Sequence, residues 1–247
     1  NDRADHGTDL ERRADLLDLP VCLRGDLDLV AVHQNGLHFV LFISLENEVQ
    51  ANLVDWYQKL YRNAFKKDPG DLSNEEIAEY VIQEFNKNGF RMIAKRRMGD
   101  SFGFHDYEKM VDEEEKKYNG KVVATILDYV TLCSRCPEDK DQNSAVQLQK
   151  LVERFHNHTA HHEIFMMTGL QLDTNASQIS VSGKLNIVKQ YGEFHLSDCK
   201  GIRKELDAMF FMELEENHRK IKYLTMAWSK HRYVNDTPSE DKYFAYR

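Results

Sequence analysis

Two hydrophobic periods alternate along this chain, and each change of period marks an element. Leu37, Phe39, Leu41, Ile43 and Leu45 share one face, and Val40 and Phe42 make the other partly apolar, which predicts a central strand covered on both sides. Asn35-Gly36 supplies the two positive-φ positions of a tight turn, so 26–34 and 37–45 are expected to pair as a β-hairpin that starts the sheet. Val49, Leu53, Trp56, Leu60 and Ala64 then recur at helical spacing, predicting a helix over 46–67 that Asp68-Pro69-Gly70 stops. Ser73 and Glu76 form a capping box, Ile77, Val81 and Phe85 an apolar stripe, and Asn88-Gly89 a terminus, which together predict a second helix. A strand over 90–98, an acidic helix over 106–118 closed by Asn119-Gly120, and a buried strand over 122–130 complete this half.

Beyond the polar stretch 137–143, Val146, Leu148, Leu151, Val152 and Phe155 predict a helix over 145–155. Strand-like segments follow at 163–172, 178–190 and 193–196. Ile202, Leu206, Met209, Phe210, Leu214, Ile221, Leu224 and Trp228 keep a helical period, so the chain is expected to close on a long C-terminal helix capped by Ser197 or Asp198. The expected fold is α+β or mixed α/β: a hairpin-initiated sheet flanked by amphipathic helices. Its expected division is 1–136 and 137–247, or one continuous domain over 21–233.

Composition narrows the function classes. With 41% hydrophobic and 30% charged residues and a mean hydropathy of -0.63, a chain of 247 residues is neither a membrane bundle nor a disordered polymer. Its net charge of -8 argues against whole-molecule capture of duplex DNA. The run 206–214 is broken by Asp207 and Glu213 and is too short to cross a bilayer. Four cysteines are too few for a disulfide framework, so a cytoplasmic or nuclear location is expected, while glycosylation triplets at Asn157, Asn175 and Asn235 keep secretion open. The chain opens without Met, as a processed form or an excised fragment would.

His156, His158, His161 and His162 cluster, and on a continuing helix His158 and His162 sit one turn apart, a separation that lets imidazoles share one Zn²⁺. Cys133 and Cys136 could complete a closed shell, so the expected metal ligands are Cys133, Cys136, His156, His158, His161 and His162. His156, His158 and His161 also resemble the His-x-His-x-Asp-His signature of the metallo-β-lactamase family, which implies metal-dependent hydrolysis, although Ala160 replaces its Asp. The order strand, Cys133-Ser134-Arg135-Cys136, helix resembles the thioredoxin fold and implies thiol redox chemistry, but no proline between Pro137 and Pro238 faces the pair. Asp26-Leu27-Asp28, with Asp128 on another strand, is similar to the paired aspartates of nucleotidyltransferases, without their upstream Gly-Ser turn. The stretch 84–93 resembles nucleoside diphosphate kinases, whose phosphohistidine run is missing.

No Gly-x-x-x-x-Gly-Lys or Gly-x-Gly-x-x-Gly occurs, which argues against a nucleotide held in a glycine-rich loop. Lys95, Arg96 and Arg97, with Arg219, Lys222, Lys230 and Arg232 interleaved with Tyr223 and Trp228, offer charge beside stacking faces and suit single-stranded RNA. Because each catalytic constellation lacks a member, the expected role is a macromolecular-binding domain, for a protein or RNA partner, with a capacity to self-associate. The rival readings are a metal-dependent hydrolase or nuclease built on His156–His162, with zinc as its cofactor, and a thiol redox protein using Cys133 and Cys136.

Overall fold

β2 (Leu37–Ser44) is the middle strand of a five-stranded sheet, flanked in the order β1 (Asp26–Asp28), β3 (Phe90–Arg96), β2, β4 (Gly120–Asp128), β5 (Phe165–Thr168). The computed structural model describes residues 26–28, 37–46, 49–87, 90–180, 187–196, 200–216, 220–232 and 243–246. They divide into two compact units, one within 1–134 and 161–168, the other within 135–160 and 169–247.

In the first unit β3, β2, β4 and β5 run parallel, and only β1 is antiparallel, paired with β3. The expected hairpin is not found among the described residues: 26–28 pair with β3, which lies between them and β2. Asn35-Gly36 itself lies outside the described residues. Parallel pairing needs long crossovers; helices α1 (Val49–Phe65) and α2 (Asn74–Lys87) lie in the one from β2 to β3, and α3 (Phe104–Tyr118) in the one from β3 to β4. The capping box at the start of α2 is present, with Ser73 N–H donating to Glu76 Oε2 at 2.8 Å and Glu76 N–H donating to Ser73 Oγ at 3.2 Å. Asn119 ends α3 in the left-handed region at φ 47.

Both faces of the sheet are covered, which is why β2 reads as apolar at nearly every position. On one face Phe42 and Ala94 form a core with Trp56 and Tyr57 of α1, Trp56 meeting Phe42 edge-on at 4.5 Å. On the other, α3 places Tyr107 Oη 3.0 Å from Thr125 Oγ1 and Glu114 Oε1 3.2 Å from Lys95 Nζ, with Tyr118 edge-on to Phe39.

The second unit contains most of α4 (Ser144–His161), the short α5 (Thr174–Ser180) and an antiparallel sheet of β6 (Ala208–Glu216), β7 (Lys222–His231) and β8 (Tyr243–Tyr246). The long C-terminal helix expected over 202–231 is thus a strand pair preceded by a short 3₁₀ turn, Lys200–Glu205. Phe210, Met212 and Leu214 alternate with Met209 and Phe211, so both faces of β6 carry apolar residues, and such a run also matches a helical period. The strand-like segment 178–190 holds the end of α5 and a 3₁₀ turn, Ile187–Gln190, and 193–196 is mainly another 3₁₀ turn. Among the described residues, no helix is long and apolar enough to cross a membrane.

Candidate functional site

From β2 the chain passes to β3 on one side, and from β3 it returns to β4 on the other side of β2. That reversal is a topological switch point, and ligands of open α/β sheets lie in the crevice at the carboxyl ends of the strands that flank it. Here those ends bring Ser44 of β2 and Asp128 of β4 into register, with Arg96 of β3 in the same row. Leu45 N–H donates to Asp128 O at 2.8 Å, and Arg97 N–H donates to Ser44 O at 2.9 Å. Ser44 is buried, Asp128 half-buried, and Glu46, directly after Leu45, exposed. Asp128 ends β4 and Glu46 follows β2 by two residues, and carboxylates are the hard oxygen ligands that Mg²⁺ prefers.

The loops above this edge interlock. Ser134 N–H donates to Phe102 O at 2.9 Å, so the segment after β3 is fastened to the segment after β4. Gly99 lies so close to that segment that a Cβ there would stand 2.5 Å from Leu132 O, and one at Gly103 would stand 2.8 Å from Ser134 Oγ. Glycine is required for this approach, not for a turn.

The side chains singled out in the sequence fall in both units. Cys133, His161 and His162 belong to the first unit and Cys136, His156 and His158 to the second. Among the described residues neither trio brings its ligand atoms together around one ion. Both thiols are buried and outside any disulfide, and burial pushes the Cys136 thiol up, opposed by the Arg154 guanidinium. His156 Nδ1 faces Asp207 Oδ2 at 3.6 Å, and the His161 and His162 rings touch edge-on.

Of the basic residues, Lys95 is buried against Glu114, whereas Arg96 is exposed and Arg97 half-buried. Arg219 lies outside the described residues. Lys222 and Lys230 stand near opposite ends of β7, where Lys230 Nζ donates to Arg203 O at 2.6 Å, and Arg232 pairs with Asp207 at 2.9 Å. Sequence reasoning assigned Asp128 only a minor part and passed over Glu46. The missed signal is an apolar strand that ends on an acid, occurring twice: Phe42-Ile43-Ser44-Leu45-Glu46 and Thr125-Ile126-Leu127-Asp128.

Comparison with known proteins supplies what these residues do not spell out. The family model described as "Divergent DnaB-like ATPase" matches residues 33–247. Among solved structures, one described as an ATPase domain aligns at TM-score 0.61 and 14% identity, covering 84% of this chain and 70% of that one. A DnaB-like replicative helicase, described with its interactions with primase, aligns at TM-score 0.59 and 14% identity, covering 79% of this chain and 47% of that one. No curated protein matches the sequence.

The mixed α/β architecture with a parallel sheet agrees with the fold of the solved ATPase domain. The family match overturns the expectation of a plain binding domain, together with its hydrolase or nuclease and thiol redox rivals. It also leaves RNA binding and zinc without support, since the matching family is one of ATPases.

Proposed function

The chain belongs to the divergent DnaB-like ATPase family, and from that premise we propose that it acts on a nucleoside triphosphate at the carboxyl ends of β2 and β4. One observation carries the proposal: Asp128 and the Ser44-Leu45-Glu46 corner meet at the switch point of the parallel sheet. Asp128, at the end of β4, would hold Mg²⁺, which when bound would neutralise phosphate charge. Glu46, exposed two residues beyond the end of β2, would orient a water and accept its proton. Arg96 adds positive charge on the same row.

These oxygen donors suit Mg²⁺, but a phosphate-cradling Gly-x-x-x-x-Gly-Lys does not occur in the 247 residues, so no grip on the triphosphate is assigned. A protein partner and assembly with further copies fit the same reading, because one similar structure is described with its interactions with primase. DNA, not single-stranded RNA, is the nucleic acid that this reading favours.

The test is Mg²⁺-dependent binding and hydrolysis of ATP by the full chain. Asp128→Asn is expected to abolish the Mg²⁺ dependence of binding. Glu46→Gln should leave binding in place and slow hydrolysis about 10²-fold or more. Absence of Mg²⁺-dependent nucleotide binding by the unaltered chain would overturn the proposal.

A further inference from the structure

β5 ends at Thr168, beside β4, with Thr168 in register with Leu127, the residue before Asp128. Its hydroxyl donates to Leu127 O at 2.8 Å and accepts from Val130 N–H at 3.0 Å. A single oxygen therefore clips the chain on both sides of Asp128 and Tyr129. Only a hydroxyl can give and accept at once in this position, and the β-branched side chain of threonine limits its rotation.

We infer that Thr168 is a positioning residue, contributed by β5, that fixes the direction of the Asp128 carboxylate through these two hydrogen bonds. The inference rests on the reading of Asp128 as the Mg²⁺-holding group. Leu45 N–H already holds the Asp128 carbonyl from the β2 side. The Thr168 clip holds Leu127 and Val130, the residues that bracket Asp128 and Tyr129, from the β5 side, so the end of β4 is tied to both neighbouring strands. Without the clip, Asp128 and Tyr129 would gain freedom, and the carboxylate would spend less time aimed over the crevice.

Thr168→Val keeps the shape of the side chain and removes both hydrogen bonds, whereas Thr168→Ser keeps both. Two readouts apply to the full chain: amide hydrogen exchange at Val130, which needs no ligand, and the Mg²⁺ concentration that half-saturates ATP binding. For Thr168→Val, exchange at Val130 should accelerate about tenfold and the half-saturating Mg²⁺ concentration should rise by a similar factor. Thr168→Ser should stay within about twofold of the unaltered chain in both.

Unchanged Val130 exchange in Thr168→Val would overturn the clip. Faster exchange with an unchanged Mg²⁺ requirement would overturn the positioning role. Should Thr168→Val fail to fold, a tenfold loss in Thr168→Ser would still refute the inference. If the unaltered chain binds no ATP, the reading of Asp128 fails and the positioning role fails with it, while Val130 exchange alone still shows whether the clip exists.

Discussion

Lys95 and Glu114 are 5% and 7% exposed and stand 3.2 Å apart, joining β3 to α3. At an effective dielectric of about 20 their attraction is about 5 kcal/mol, while taking each ion out of water costs several kcal/mol, so the pair adds little net stability. Removing one partner is different, because the other charge stays buried and uncompensated. Glu114 Oε2 already has no hydrogen-bond partner, so the carboxylate would have little to fall back on. Lys95→Met should therefore cost about 3–5 kcal/mol, and the double variant Lys95→Met/Glu114→Leu should regain most of that loss. At about 2–4 °C per kcal/mol for a chain of this size, the single variant should melt about 6–20 °C lower. Urea unfolding followed by tryptophan fluorescence in a Trp228→Phe background checks this. The remaining Trp56 lies against Phe42 and so reports on the sheet that carries Lys95. A single variant within about 1 kcal/mol of the parent, or a double variant no better than the single, would refute the reasoning.

Three further outcomes rest on buried groups and close contacts elsewhere in the fold. Burial, opposed by the Thr125 hydrogen bond and assisted by Glu115, pushes the Tyr107 phenol up to about 12 from 10.0. Its folded value is the higher one, so its contribution is complete below about pH 10 and is lost as pH rises towards about 12; Tyr107→Phe should flatten that part of the urea-midpoint curve, and an identical slope would count against it. Gly99→Ala puts a Cβ 2.5 Å from Leu132 O and should cost about 1–3 kcal/mol in urea unfolding, whereas an unchanged midpoint would mean that the two loops are not interlocked. In a Cys22→Ser/Cys199→Ser background, the buried Cys133 and Cys136 should react with a thiol reagent at neutral pH only after unfolding, and a fast native reaction would contradict the raised Cys136 thiol.

How far the sequence revealed this molecule depends on which neighbours each residue needs. Ser73 and Glu76 cap α2 through each other, and Asn119 closes α3 through its own backbone angle, so both were readable from a few adjacent letters. The partner of β1 was not, because Asn35-Gly36 signals only a local turn and cannot report that β3 enters the sheet between the two segments. β6 misled for another reason. Met209 and Phe211 are buried, yet Met212 and Leu214 on the other face are apolar and exposed, which removes the alternation that separates strand from helix.

Asp128 stands between these cases. The run Val122 to Leu127 marks a buried strand, and an acid at its end is visible in the letters. The role proposed for it rests on Ser44 and Leu45, which meet it only because β2 and β4 are parallel neighbours, and parallel neighbours are joined by long crossovers and not by a turn. Any site at a switch point has this property: its residues lie one per strand end, each beside partners distant in the chain, so local motifs underreport it. The absence of a glycine-rich phosphate loop therefore argued against one way of holding a nucleotide, while the carboxylates beside the strand ends remained unread.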